Sequence, residues 1–296
     1  MTSFIDEIEQ EMKENKQTSY SKEEYAQMKK AEREKAFKMA RETAELLPLD
    51  GDRFRNCLDL MSRFGRYSVS NILLLEAQKP DAKRLADFET WKDQKISINK
   101  GETGIMILEP GKEYTRKDGS TAVSYNVKKV FDVSQTNLTF AVAPAVKRDG
   151  RFLVRALIHN APCDFENVDA GKLQNGRSAY YVAEVNKIYA GPGKDIPRLF
   201  LDLTAAIAEA HLNKGDFGAE NKFAKAVCVA YILARRNDLD VSTFDFGEKP
   251  AMLRNMNSQQ IRDFLSDVRE VANTITRDMD RYFEKLKGVP EKDEVR

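Results

Sequence analysis

A β-strand is indicated by the compact apolar run Gly104-Ile-Met-Ile-Leu-Glu-Pro110, which ends at proline. The rest of the chain is rich in helical patterns, so this run adds a sheet to the expected fold. A turn signal, Lys117-Asp-Gly-Ser120, follows it. Val123-Ser-Tyr-Asn-Val-Lys-Lys-Val-Phe131 then returns with partial alternation of apolar and polar residues. We therefore predict two strands of a small antiparallel sheet. A sheet of this size needs a third strand or a covering helix, and the helices predicted before it supply that cover.

Helical patterns flank these strands on both sides. Ser21-Lys-Glu-Glu24 has the capping-box pattern of a helix N-terminus. Shorter helices are expected at 54–64, 69–78 and 85–93. After the two strands we expect further strands at 151–158 and 179–188, and then helices at about 197–212, 219–237 and 257–287. The order of elements predicts an α+β protein.

The composition is typical of a globular chain with a charged surface. Hydrophobic residues make up 42% of the 296 residues and charged residues 32%, which argues against disordered, collagen-like and disulfide-stapled chains. No apolar run reaches the roughly 18–20 residues that a membrane helix needs, and the acidic N-terminus is unlike a signal peptide. The three cysteines are widely spaced, as in reduced cytoplasmic proteins. We therefore expect a cytoplasmic protein without membrane contact and without a cofactor.

The overall charge does not indicate a nucleic-acid partner, because 48 Lys and Arg balance 47 Asp and Glu. Residues 63–105 are more informative, since basic, aromatic and amide side chains alternate there. Lys and Arg neutralise phosphates, and aromatic rings stack unpaired bases. The pattern indicates a surface for single-stranded nucleic acid. An alternative is that Phe88 and Trp91 are core residues beneath the sheet, and composition alone favours this structural interpretation.

The motifs of this region occur in an order that resembles a known family. They are Phe64-x-Arg66-Tyr67-Ser68-x-x-Asn71, Gln78-x-Pro80-Asp81-Ala82, Phe88-x-x-Trp91, Lys100-Gly101-Glu102-x-Gly104-Ile105 and Val130-Phe131-Asp132-Val133-Ser134-Gln135-Thr136. Over roughly residues 50–137 they resemble the N-terminal single-stranded-DNA-binding domain of ArdC-type antirestriction proteins, which are encoded on conjugative plasmids and related mobile elements. The resemblance implies sequence-independent binding of single-stranded DNA and protection of incoming DNA.

We place the predicted DNA-binding set on the matching positions and on basic residues around them. Its members are Arg63, Arg66, Tyr67, Ser68, Asn71, Gln78, Trp91, Lys92, Lys95, Lys100 and Lys128. The predicted mechanism is occupancy: a basic groove follows the phosphate backbone while aromatic faces stack bases, which excludes other proteins without covalent chemistry. Whether Tyr67 and Trp91 stack bases or pack in the core stays open.

The second half resembles the zinc-metallopeptidase domain that follows in such proteins, but its metal motif is degenerate. The resemblance places Ile207 and His211 at the two His of a His-Glu-x-x-His motif, Ala208 at its Glu, and Val227 near the expected acidic ligand. Two His four residues apart on a helix hold one Zn²⁺, and the Glu activates its water. We therefore predict a pseudo-peptidase with no catalytic residue and no metal.

We predict three segments: an N-terminal helical extension at 1–20, an ArdC-like single-stranded-DNA-binding domain of helices and a small antiparallel sheet at 21–144, and a degenerate zincin-like α+β domain with a long C-terminal helix at 145–296. Two alternatives stay open. In one, the degenerate domain binds a host restriction, defence or conjugation protein. In the other, a rebuilt zinc site makes the protein a metallopeptidase. That site would use His211, His159, Cys228 and one of Glu209 or Glu220.

Overall fold

The computed structural model describes residues 21–116, 118–138, 148–173, 176–193, 195–215, 217–218 and 220–287. The helical extension predicted at 1–20 lies outside these residues. The boundary predicted between residues 144 and 145 also lies outside them, within the segment 139–147.

The first half of the chain combines helices with a small sheet that is built on one long hairpin. Its helices are α1 (Lys22–Leu46), α2 (Gly51–Arg63), α3 (Val69–Gln78) and α4 (Phe88–Asp93). Its strands are β1 (Leu85–Ala86), β2 (Ile105–Thr115) and β3 (Thr121–Asp132), and they form an antiparallel sheet in the order β1-β3-β2. The predicted pair of strands is confirmed as the β2–β3 hairpin.

Polar caps fix where these helices begin. The Ser21 hydroxyl accepts a hydrogen bond from the Glu24 backbone N–H (3.1 Å), and the Glu24 carboxylate accepts one from the Ser21 N–H (2.8 Å). The predicted capping box is therefore confirmed. Asp50, Ser68 and Asp87 cap α2, α3 and α4 with single side chains. Ser68, a member of the predicted DNA-binding set, thus has a structural role.

The second half has a small mixed sheet against long helices. Strands β4 (Asp164–Asn167), β5 (Ala179–Val182) and β6 (Lys187–Ala190) lie in the order β4-β6-β5, with β4 parallel and β5 antiparallel to β6. The helices are α5 (Gly150–His159), α6 (Ile196–Lys214), α7 (Lys222–Arg236) and α8 (Ser258–Lys287). The α+β class and the three helices predicted at the C-terminal end are confirmed.

The strand predicted at 151–158 is wrong, because this stretch lies in helix α5. The Asp149 carboxylate caps the helix by accepting hydrogen bonds from two backbone N–H groups of its first turn. Leu153, Ala156 and Leu157 are buried at intervals of three and four residues, whereas a strand would bury alternate ones. The helix predicted at 85–93 begins only at Phe88, after β1. The strand predicted at 179–188 is divided into the antiparallel neighbours β5 and β6.

One hydrophobic core runs through both halves, as a continuous cluster from Ala36 in α1 to Phe283 in α8. Helix α7 also reaches helix α2 through polar contacts. The Tyr231 hydroxyl donates to Asp59 Oδ1 (2.9 Å), and Arg235 Nε donates to the same oxygen (2.8 Å). Burial and this hydrogen bond raise the pKa of Tyr231. None of the helices in the described part has the length and hydropathy of a membrane span.

Candidate nucleic-acid interface

The turn after α2 lies where the two halves of the fold meet. Helix α2 ends at Arg63 and helix α3 begins after Ser68. Two side chains of α8 hold the turn between them by its backbone. Asn273 Nδ2 donates to the Gly65 carbonyl (2.8 Å), and Arg269 donates to the Arg66 carbonyl (3.4 Å). The C-terminal helix therefore positions part of the motif that the sequence assigned to the N-terminal domain.

The guanidinium of Arg236, at the end of α7, is the centre of this junction. It donates hydrogen bonds to five oxygens, which belong to Met61, Ser62, Ala272, Asn273 and Thr276. Burial lowers its pKa to about 10, so it stays charged at neutral pH. A Cβ on Gly65 would lie 2.5 Å from Arg236 Nη2, so a larger residue here would displace the hydrogen-bonded guanidinium.

A groove of about 770 Å³ opens over this junction, and we call it the junction groove. Its charged lining consists of Arg63, Arg66, Arg236, Arg269 and Arg277 with the acids Glu270 and Asp280. Within the described part of the chain, no carboxylate lies within 4.0 Å of any of these five guanidinium groups. Unpaired guanidinium groups in one concavity create a positive field that attracts phosphates.

A second groove, of about 1090 Å³, continues from the first and shares Ser62 and Arg63 with it. We call it the flanking groove. It runs between α2, residues 80–84 and the end of α7, and its charges are more nearly balanced. The basic members are Arg63, Lys83, Arg84 and Arg235, and the acidic members are Asp59, Asp81 and Asp238. The two grooves are neighbours, because Ser62 and Arg63 line both of them.

The two amides of the predicted set bind the hairpin. Asn71 Nδ2 donates to the Leu108 carbonyl (2.8 Å), and Asn71 Oδ1 accepts from the Leu108 N–H (2.7 Å). Gln78 makes the same pair of hydrogen bonds with Met106 (3.0 and 2.9 Å). Strand β2 is an edge strand, and these amides satisfy its outer backbone groups as a neighbouring strand would. The donors and acceptors that the sequence offered to a ligand are therefore used within the fold.

Trp91 lies in the core with its side chain fully buried. Its indole N–H donates to the Phe131 carbonyl (3.0 Å), and the Arg84 guanidinium lies over its ring, 5.0 Å from the centroid. Trp91 thus has no face open to a base. Phe88, in contrast, is 54% exposed.

Tyr67 and Arg63 are also engaged in the fold. Tyr67 is half-buried, its ring lies edge-on to Phe64 with centroids 5.6 Å apart, and burial raises its pKa. The Arg63 guanidinium donates to carbonyl oxygens before and after it in the chain, and burial lowers its pKa. These two residues line or support the grooves while they hold the turn in place.

The predicted lysines differ in how free their charges are. Lys128 pairs with Asp87 (2.8 Å) and with Glu109 (3.5 Å), so its charge is largely compensated. Lys92, Lys95 and Lys100 are exposed and form no ion pair with another described residue. Arg66 is likewise exposed and unpaired among the described residues, and it alone of the set has a side chain that is both free and inside the junction groove.

Three arginines of the junction groove were missed by the sequence analysis. Arg236, Arg269 and Arg277 lie in α7 and α8, far along the chain from Arg66. No local pattern links them, because the groove exists only once the two halves pack. The sole sequence signal was the number of arginines on the polar side of the last helix, which equally fits a solvated face.

A smaller cleft of about 170 Å³ lies between α6 and α7, and we call it the α6–α7 cleft. Its four charged residues are two arginines and two acids. Arg198 pairs with Asp202 (3.0 Å), and the Arg177 guanidinium lies 4.3 Å from the centroid of the Phe223 ring. Burial raises the pKa of the Glu209 carboxyl, and the nearby charge of Arg177 opposes this effect.

The residues of the α6–α7 cleft do not fit the zinc centre that the resemblance implies. Of the four compared positions only Val227 lines the cleft, while Ile207 and Ala208 are buried in the core. His211 points elsewhere on α6, and burial lowers its pKa. The cleft-facing positions Ala205 and Ala206 have no metal-binding atom, and the two acids of the cleft, Asp202 and Glu209, have no His or Cys beside them among its lining residues.

The wider set of candidate ligands gives the same result. Among the described residues, no three or more His, Cys, Asp or Glu side chains are grouped so that they could hold a metal ion. The set proposed for a rebuilt site, around His211, His159 and Cys228, is therefore not assembled in this part of the chain. Cys228 is fully buried, with its sulfur 3.8 Å from that of Met252.

The sequence is similar to proteins of a known family. Residues 47–140 match the family model of the N-terminal domain of anti-restriction factor ArdC. An uncharacterized protein of Bacillus anthracis is 29% identical over 121 residues, which is 32% of this chain and 20% of that protein. The chain thus spans about one fifth of that relative's length.

Two crystal structures of the antirestriction ArdC protein from plasmid R388, one metal-free and one with Mn(II) bound, share the fold. Each has a TM-score of 0.50 and covers 73% of this chain, with identities of 15% and 14% and with 85% and 86% of those chains covered. Residues 47–140 therefore match the N-terminal domain of the ArdC family, and the chain shares its fold with the R388 antirestriction protein.

Proposed function

We propose that the protein binds single-stranded DNA without regard to sequence and shields the transferred DNA of a mobile element from host restriction. The observation that carries the proposal is the junction groove, which is lined by five arginines that have no carboxylate partner among the described residues. One wall of the groove comes from residues 62–66, which lie within the stretch that matches the ArdC domain, and the other wall comes from α7 and α8. Both halves of the chain therefore contribute to the proposed site.

The chemistry of the groove suits a phosphodiester backbone. Arginine presents a planar fork of donors that matches phosphate oxygens, and it keeps its charge at every physiological pH. Contacts to phosphates carry no sequence information. A strand held in this way is covered along the length of both grooves, so a nuclease has no access to it and no covalent step is needed. Arg66 and the exposed Lys92, Lys95 and Lys100 are the proposed contacts retained from the sequence analysis.

The experiment is a titration of fluorescently labelled single- and double-stranded oligonucleotides at several salt concentrations. We expect tighter binding of the single strand and a steep fall of affinity with salt, because counterions are released from the phosphates. Arg277→Gln in the groove should reduce the slope of log affinity against log salt by about one. Arg281→Gln is the matched control, since Arg281 is on the same helix, exposed, and outside the groove lining. Absence of binding to any oligonucleotide rejects the proposal.

A second role, as a docking protein for a host restriction, defence or conjugation component, has one supporting observation. The α6–α7 cleft has balanced charges and is too small for a polynucleotide but large enough for a side chain. If it is a docking site, Glu209→Gln with Arg177→Gln should abolish antirestriction in cells and leave oligonucleotide binding intact. Unchanged antirestriction by this double variant rejects the second role.

A further inference from the structure

The junction groove explains attraction to phosphates but gives no reason for a single strand to be preferred. Duplex DNA has the denser phosphate charge of the two, so charge alone favours the duplex. A preference for single strands needs a contact with the face of a base, which is open only when the base is unpaired. The buried Trp91 does not supply that face, and the exposed Phe88 lines neither groove, so a flat group within the grooves is required.

Arg84 lies in the flanking groove directly above Trp91. Its guanidinium lies over the indole ring, and its Nη2 donates to Gln94 Oε1 (2.6 Å). Its backbone is fixed at both polar groups. The Arg84 N–H donates to Asp132 Oδ1 (3.0 Å), and the Arg84 carbonyl accepts from the Val133 N–H (2.8 Å). The side chain is thus held at its base by the backbone hydrogen bonds, at its tip by Gln94 and by its contact with the Trp91 ring.

The charge of Arg84 is not compensated by an ion pair. No described carboxylate lies within 4.0 Å of its guanidinium, and the residue is exposed. The guanidinium therefore has the Trp91 ring beside it, while the exposed residue also lines the flanking groove. Lys83, its exposed neighbour in the same groove, is also without an ion pair in the described part.

We propose that Arg84 is a stacking platform for one unpaired nucleobase and that Trp91 is its positioning residue. The inference rests on the proposed function, because it names the group within that site that recognises a single strand. Arginine planes stack bases in single-strand recognition. A cation over a tryptophan ring is held there electrostatically, so little freedom is lost when a base stacks on it. Every base has a flat face, so the platform is indifferent to sequence.

Two neighbouring side chains of the flanking groove contact different parts of one nucleotide. Arg84 contacts the base, and Lys83 contacts the adjoining phosphate. The order of the layers is then indole, guanidinium and base. This arrangement gives the aromatic residue of the predicted motif a role in binding although it never touches DNA.

The test compares an oligothymidylate with an abasic strand of equal length, which has the same phosphates and no bases. We expect the wild type to bind the base-containing strand about 5- to 150-fold more tightly, the range that one stacked base contributes. Arg84→Lys keeps the charge but loses the plane. It should lose most of this preference while the salt slope stays the same. An unchanged preference in Arg84→Lys overturns the inference even when binding is intact, whereas failure of the wild type to bind either strand overturns the proposed function itself.

Two further variants separate stacking from charge and from folding. Lys83→Gln, in the same groove, should lower the salt slope by about one and leave the base preference unchanged. Trp91→Phe keeps an aromatic ring next to Arg84 but makes it smaller. Because Trp91 acts only by positioning Arg84, this variant should weaken the base preference with no change in the salt slope. Equal loss of affinity for both strands in Trp91→Phe would show a merely structural role and contradict the assignment.

The chain contains a single tryptophan, so its fluorescence reports directly on this site. Emission from Trp91 should change when the base-containing strand binds and stay constant when the abasic strand binds at equal saturation. An identical change with both strands contradicts stacking on Arg84.

Discussion

Helix α7 lines two concavities that differ in how their charges are compensated. Its C-terminal end gives Arg236 to the junction groove, where five arginines face two acids and none is paired with a described carboxylate. Its other face gives Phe223 and Val227 to the α6–α7 cleft, where two arginines face two acids. The net charge of the chain, +1, hides this difference. Unpaired charge within a concave surface, and not the total charge, indicates where a polyanion binds.

The comparison also shows where each site gets its residues. The α6–α7 cleft is built from the second half alone, whereas the junction groove exists only where the two halves touch. The groove is therefore sensitive to any change that separates α2 from α8.

The largest effect is expected from Arg236→Met in the floor of the junction groove. Five hydrogen-bond acceptors lose a charged donor in a buried place, so the free energy of unfolding should fall by about 3–5 kcal/mol. Urea unfolding followed by circular dichroism measures this. The adjacent Arg235→Met is the control. Its ion pair with Asp59 is partly exposed, and its loss should amount to about 1 kcal/mol or less. Equal effects of the two variants would contradict a central role for Arg236.

Asn71→Ala should come second, because it removes two buried hydrogen bonds to Leu108 at the edge of β2. We expect a loss of about 1–3 kcal/mol in unfolding free energy. Oligonucleotide affinity of the folded protein should be unchanged. Asn126→Ala, on the exposed side of β3, is the control and should change stability by about 0.5 kcal/mol or less. A large loss of DNA affinity with normal stability would restore Asn71 to the binding surface.

A double substitution, Arg66→Gln with Arg277→Gln, tests the groove against the cleft in binding. It should reduce the salt slope by about two and lower affinity for single strands at low salt by roughly tenfold or more. The same change of charge in the cleft, Arg177→Gln with Arg198→Gln, should leave both quantities near the wild-type values. If the two double variants weaken binding equally, the attraction is a property of total charge and the groove is not the site.

The smallest effect concerns the carboxyl of Glu209 in the cleft. Burial raises its pKa in the folded state, so its ionised form destabilises the fold above the ordinary pKa of glutamate. Glu209→Gln should therefore stabilise the protein slightly at neutral pH, and the gain should vanish at acidic pH where both forms are neutral. Thermal unfolding at a series of pH values measures this. Glu270→Gln, at an exposed acid of the junction groove, is the matched control for the loss of one carboxylate.

Local chemistry made much of the fold predictable. The capping box at Ser21 and the helix at 69–78 were given by neighbouring residues in the sequence, and the structure has both. The stretch 151–158 was misassigned because its apolar residues are close together, and only their burial at helical intervals separates a helix from a strand.

The site was less predictable, for two physical reasons. An amide such as Asn71 is equally suited to a ligand and to the free edge of a strand, and sequence does not tell which it meets. The groove arginines of α8 come from a part of the chain that no local pattern connects to Arg66. The positions on α6 that line the cleft were also not predictable. The resemblance places the metal motif at Ile207 and Ala208, but both side chains are buried, and other residues of α6 line the cleft.

The central claim is that unpaired arginines between the two halves hold a single DNA strand by its backbone. The most direct measurement is the salt dependence of binding to a labelled single strand, for the wild type and for the Arg66→Gln, Arg277→Gln double variant. We expect a steep slope for the wild type and a slope smaller by about two units in the variant. Identical slopes, or no binding by the wild type at low salt, would contradict it.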